Sequence, residues 1–120
     1  MEEADKILIT SLKQVGVTVQ SLSDFDAQSM ITCVIVCLER LAKVSEENQF
    51  IDVKFLKKQK VTEATHRYKI CQKFVEYIKQ LDYPYDFSFN TFLFPNVKET
   101  RKLLGYLIDA IFQAEGVPQV

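Results

Sequence analysis

A single histidine, His66, and three cysteines, Cys33, Cys37 and Cys71, are where nucleophilic or metal chemistry in this chain would have to begin. Any Ser–His or Cys–His pair must use His66 as its base. That residue stands beside Arg67 in a charged stretch, and Cys71, five positions on, turns well round a helix from it. The apolar repeat puts Cys71 on a buried stripe, where a thiol acts as a small apolar group. Cys33 and Cys37 are spaced i, i+4 and could share a metal on one helix face. A structural zinc site wants four Cys or His ligands, often from a C-x-x-C hairpin, and the whole chain holds three cysteines and one histidine. Core packing is the stronger reading of all three thiols. The carboxylate pairs Glu2-Glu3, Asp24 with Asp26, and Glu46-Glu47 stand at helix starts or in a polar loop, where capping and the helix dipole account for them. Gly16, Gly105 and Gly116 are isolated, and no phosphate-loop pattern occurs. The chain is therefore expected to need no metal or cofactor and to be no enzyme.

What remains is surface. Net charge is −1, but it is unevenly spread. Residues 1–53 hold nine acids and four bases, residues 54–73 seven bases and one acid, and residues 74–120 six acids and four bases. The basic stretch comprises Lys54, Lys57, Lys58 and Lys60, followed by Arg67, Lys69 and Lys73. It would attract an acidic partner such as a tubulin tail, an anionic membrane or an acidic protein. Nucleic acid is disfavoured, because the chain as a whole is slightly acidic and carries no binding motif for it. The plain alternative is an ordinary solvated face. The aromatic-rich segment from Tyr83 to Phe94 would be sticky if exposed. Most of its rings are expected to plug helix ends, leaving one or two, such as Tyr85 or Phe87, for a partner.

The elements that position these groups are read as helices. Apolar residues make up 48% of the 120 residues and charged residues 26%, which suits one globular domain, whereas three Gly and three Pro are few for a turn-rich β fold. The first helix is placed at Glu3 to Val15, with Leu8, Leu12 and Val15 inward, acids at 2, 3 and 5 at its start and Gly16 at its end. The second runs from about Asp24, capped by Ser23 or Asp24, to Lys43. Every side chain from Cys33 to Leu38 is apolar, so this helix is taken as the centre of the core, with Ile35 in its middle. Residues 44–60 are read as a polar loop and then a short extended piece or helical turn over the core edge. The third helix spans about Val61 to Leu81, with Ala64, Tyr68, Cys71, Phe74 or Val75, Ile78 and Leu81 inward, and Tyr83-Pro84 ends it. Residues 85–94 are a packed loop with a turn of helix. The fourth helix opens at Asn96, which forms a capping-box-like pair with Glu99. It turns Leu104, Leu107, Ile108 and Ile111 inward and closes at Gly116 and Pro118. The acidic amino terminus does not read as a signal peptide, and no apolar run reaches the roughly 20 residues of a membrane span. The odd cysteine count suits reduced thiols in a cytosolic protein.

Two blocks carry a family resemblance. Residues 1–9, with Ser11-Leu12-Lys13-Gln14 and Gly16, resemble the amino terminus of the coiled-coil domain-containing protein 22 family. Leu81-Asp82-Tyr83-Pro84 and Asn90-Thr91-Phe92-Leu93-Phe94-Pro95 resemble that family's L-G-Y-P and N-F-L-Y-P stretches, with Asp82 in the place of Gly and Thr91 inserted. Residues 44–60 do not match. The resemblance implies an all-α, divergent calponin-homology-like domain over residues 1–120, with the family's long coiled coils carboxy-terminal to it. It implies a scaffold of the Commander complex, which holds COMMD-family proteins with a coiled-coil paralogue and works with Retriever in recycling cargo receptors from endosomes. Links to copper-transporter trafficking and to NF-κB control through cullin ligases come with it. So does a cytoplasmic, endosome-associated location, with the centrosome as a further one, and a monomeric domain. Some cousins of the fold bind microtubules through basic patches, which makes the lysine run a second candidate surface.

Overall fold

A computed structural model describes residues 3–116, with the side chains of Ala4 and Asp24 outside that description. Glu2, expected at the amino end of the first helix, and Pro118, expected beyond the last, lie outside the described residues. Among the described residues the fold is all-helical, with four long α-helices and two short ones. These are α1 (Glu3–Gln14), α2 (Ala27–Val44), α3 (Val53–Lys58), α4 (Ala64–Gln80), α5 (Phe89–Leu93) and α6 (Val97–Glu115).

Helix α2 is the hub: α6, α5, α4 and α3 all pack on it, while α1 lies against α6. Met30, Ile31, Cys33, Val34, Cys37, Leu38 and Leu41 are its buried side chains. Ile35, expected at the centre, is only half-buried, as is Val36, because the inward stripe centres on Val34 and Leu38. The helix also starts later than Asp24. Residues 22–24 form a 3-10 turn, and Asp26 is the cap, its Oδ1 accepting from the Ser29 N–H at 2.8 Å. Helix α4 buries Cys71, Phe74 and Ile78 as the period predicts, but departs from it at its amino end. Ile70, Cys71, Phe74, Tyr77 and Ile78 are buried, whereas Ala64 is exposed and Tyr68 is 60% exposed, its ring edge-on to Phe89. Leu8, Leu12 and Val15 of the first segment and Leu104, Leu107, Ile108 and Ile111 of α6 are buried where the 3.6-residue period puts them.

The ends of the helices explain why the connections are ordered. After α1, Val17 N–H bonds Leu12 O at 2.9 Å and Gly16 N–H bonds Lys13 O at 3.1 Å, with Gly16 at φ +106°. After α4 the same pair of bonds forms, Tyr83 N–H to Ile78 O and Asp82 N–H to Lys79 O, with Asp82 at φ +63°. Both are Schellman closures, which need a left-handed residue just past the helix. So α4 ends at Gln80 and closes through Leu81 and Asp82, just before Tyr83-Pro84. Past α2, Asn48 Nδ2 donates to Leu41 O at 3.1 Å and Gln49 Nε2 to Ala42 O at 2.7 Å. These amides satisfy carbonyls that the helix end leaves without an intrahelical donor. Asn96 Oδ1 accepts from Glu99 N–H at 2.9 Å and opens α6. The full capping box is at Ser88 and Thr91, which starts α5 inside the aromatic segment.

Candidate interaction surface

Helix α3 is six residues long, too short to hold itself together in water. Three contacts fix it. Asp52 Oδ1 accepts from Phe55 N–H at 3.0 Å, Leu56 is fully buried, and the Asp52 N–H donates to the Tyr77 hydroxyl of α4 at 3.2 Å. Phe50, just before it, packs its ring 6.1 Å from that of Tyr77. With Leu56 pinned inward, helical geometry turns Lys54, Lys57 and Lys58 to the opposite, exposed face.

His66 holds the next loop. Its Nδ1 accepts from Lys60 N–H at 2.9 Å, and its Nε2 lies 3.2 Å from a Glu63 carboxylate oxygen. Both ring nitrogens are thus engaged in folding residues 60–63 back onto α4. The sequence suggested a solvated histidine; the structure shows a half-buried clamp. Lys60 is exposed beside it, and Lys69 and Lys73 follow on the same flank of α4, where Lys73 pairs with Glu76 at 3.3 Å. Arg67 is separated from them. It is half-buried one helical turn before the buried Cys71; its charge adds to the lowering of the Asp26 carboxyl, which the Ser29 backbone N–H chiefly causes, and opposes the burial-driven rise of the Cys71 thiol. The basic stretch is therefore two groups: a lysine flank on α3, the loop and α4, and one half-buried arginine.

The aromatic segment folds mainly on itself. Tyr83 is edge-on to Tyr85, Phe87 and Tyr106 at 5.5, 5.6 and 5.2 Å, and Phe87 meets Phe92, which meets Phe74 in the core. Burial pushes the Tyr83 phenol up to about 12, and Tyr106 is raised too, chiefly by burial, while its hydroxyl donates to Leu81 O. Phe87 is half-buried in this cluster. Tyr85 is 50% exposed, with the Lys102 ammonium 4.7 Å from its ring centre. Phe94, 73% exposed, is the most open aromatic among the described residues.

The thiols are not part of this surface. Cys33, Cys37 and Cys71 are completely buried. The Cys71 thiol is pushed by burial to about 11, and Cys37 is raised by its hydrogen bond with Cys33 and by burial. Among the described residues no cluster of three or more His, Cys, Asp or Glu could hold a metal, and no helix is long and apolar enough to cross a membrane.

A groove of about 920 Å³ runs between the outer face of α2 and the segment from Gln49 to Lys57. The sequence reading missed it. Its signal was the surplus of apolar residues on α2, which leaves Val36 beside the buried stripe.

The CCDC22 protein N-terminal domain family model matches residues 1–111. The chain is 27% identical over 117 residues to coiled-coil domain-containing protein 22 of Homo sapiens, covering 92% of this chain and 17% of that protein. It is 28% identical over 115 residues to the Mus musculus protein, again over 92% and 17%. It is 26% identical over 110 residues to the Dictyostelium discoideum homolog, over 89% and 16%. The chain thus spans about a sixth of the length of these relatives. No solved structure matches it. With the family model covering residues 1–111, nearly the whole of the described domain, this chain belongs to the coiled-coil domain-containing protein 22 family as its amino-terminal domain.

Proposed function

We propose that this domain is a non-catalytic protein–protein interaction module of a cytoplasmic, endosome-associated scaffold. The match to the family's amino-terminal domain over residues 1–111 carries this reading. Its partners are then COMMD-family proteins and the coiled-coil paralogue, in an assembly of the Commander type that works with Retriever in cargo recycling; cullin ligases are further candidates. A calponin-homology-like packing of the helices belongs to the same proposal. Support also comes from how the reactive groups are used. The histidine is a loop clamp, the thiols fill the core, and the lysines of α3 and the rings of Tyr85 and Phe94 are exposed. Immobilised chain should capture COMMD-family proteins and the coiled-coil paralogue from purified mixtures. Failure to retain any of them would move the function to the rest of the longer relatives' length.

A second reading rests on the α3 lysines. Lys54, Lys57, Lys58, Lys60 and Lys69 are exposed and form no ion pair among the described residues. A purely electrostatic surface of this kind would bind an acidic tail such as that of tubulin. Co-sedimentation with tubulin polymers at low salt, abolished in the Lys57→Glu/Lys58→Glu/Lys60→Glu variant, would establish it, and no co-sedimentation of the parent would end it.

A further inference from the structure

Helix α2 carries more apolar surface than the core uses. Val36 is only half-buried and lines the groove between α2 and α3. Phe50 and Val53 line it from the other side, each packed on the core along one edge and open along the other. The groove therefore has an apolar floor. Its rim is cationic, with Lys43 from α2 and Lys54 and Lys57 from α3. All three lysines are exposed, and none has a carboxylate within ion-pair distance among the described residues. Arg40 also lines the groove, but its Nε and Nη2 donate to the two Glu115 oxygens at 2.8 and 3.2 Å, in a field that Lys43 shares. The acids on the lining are Glu39 and Asp52, and Asp52 is occupied as the α3 cap.

An apolar floor under a lysine rim has a definite complement. Helix-in-groove recognition sets anchors at i, i+3 or i+4, and i+7 onto such a floor. A chain of acids alone would leave Val36, Phe50 and Val53 in water. A helix without acids would desolvate three ammonium groups and return nothing for them. We infer that the α2/α3 groove receives an acidic amphipathic helical segment of a partner protein, its apolar anchors on Val36, Phe50 and Val53 and its carboxylates against Lys43, Lys54 and Lys57. The inference rests on reading the domain as an interaction module, and adds to it the surface used and the chemistry of what binds.

Selection of a random-peptide display library on the 120-residue chain tests this. Enriched peptides should combine Glu or Asp with Leu, Ile or Phe at helical spacing. The synthesised peptides should shift the amide resonances of Val36, Phe50 and Val53. The Lys54→Glu/Lys57→Glu variant should weaken them by at least roughly tenfold with its own melting curve unchanged, since both side chains are exposed. Val36→Ser should weaken them with the salt dependence kept. Enrichment without acidic bias, no enrichment, or shifts confined to Lys58, Lys60, Lys69 and Lys73 would overturn the inference. Capture of COMMD-family proteins separates it from the wider reading. If the parent captures them and the Lys54→Glu/Lys57→Glu variant captures them equally, the groove is wrong and the module reading stands. If the parent captures none while acidic helices still select into the groove, the named partners are wrong and the groove stands.

Discussion

At the scale of single residues, environment decides which reactive groups are usable. A thiol attacks as its thiolate, and burial disfavours that form. Burial raises Cys71 to about 11 and helps to raise Cys37, and all three thiols, Cys33 included, are out of reach of solvent in the folded state. Intact-mass measurement after maleimide treatment at neutral pH should show an unlabelled chain, and denaturant should release three additions. Partial labelling without denaturant would show that α2 or α4 opens locally. His66 is used in another way, through two bonds that hold residues 60–63. His66→Ala should cost about 1 kcal/mol in a urea titration, the usual net worth of such a bond. Its specific signature is faster hydrogen exchange at the Lys60 amide.

At the scale of elements, the closures matter more than the stripes. Asp82 stands at a left-handed position, φ +63°, where the resembling family motif has Gly. An L-residue pays for that conformation and Asp tolerates it better than most, so Asp82→Gly should raise stability by up to about 1 kcal/mol. A lowered urea midpoint would mean that the Asp side chain supports the turn. Helix α3 depends on Leu56, its one fully buried side chain. Leu56→Ala should cost about 2–5 kcal/mol and release the lysine face together with one wall of the groove. The capping and Schellman bonds place the lysines on an ordered segment, so a partner meets them already arranged.

At the scale of the molecule, long-range ion pairs among the described residues join chain segments far apart in sequence. Arg101 of α6 donates to both carboxylate oxygens of Asp5 in α1, and Arg40 of α2 pairs with Glu115 at the end of α6. Hydrogen bonds from these arginines hold Asp5 and Glu115 below their ordinary values of 3.8 and 4.5, and the Ser29 backbone N–H does the same for Asp26. A carboxyl lowered by folding stabilises the fold fully above its unfolded value, and that contribution is lost as pH falls through the folded one. The urea midpoint should therefore be flat near neutrality and drop below about pH 4.5. Asp5→Asn should lie under the parent at neutral pH and converge with it on acidification. On the alkaline side the sign reverses. Cys71 and Tyr83 are raised, so their contribution is present below 9 and 10 and is lost as pH climbs toward about 11 and 12. At the centre of the core, Leu38→Asp should abolish cooperative unfolding, because an unpaired charge would sit where no water reaches.

By itself the sequence determined the helical class, the inward faces of α1 and α6, the buried thiols and the placing of the lysines between two acidic stretches. These follow from local period and composition, which a single chain states directly. It misplaced Ile35 and Tyr68, because a helix that is apolar nearly all round, or that mixes Tyr among its stripes, has no unique inward direction until its neighbours choose one. Only the tertiary structure decided that Arg67 is half-buried while most of the lysines are exposed, that His66 is a clamp, and that Val36 lines a groove with Phe50 and Val53. Each of those depends on contacts between residues distant in the chain, set by the docking of α3 and α4 on α2, and no local spacing encodes them.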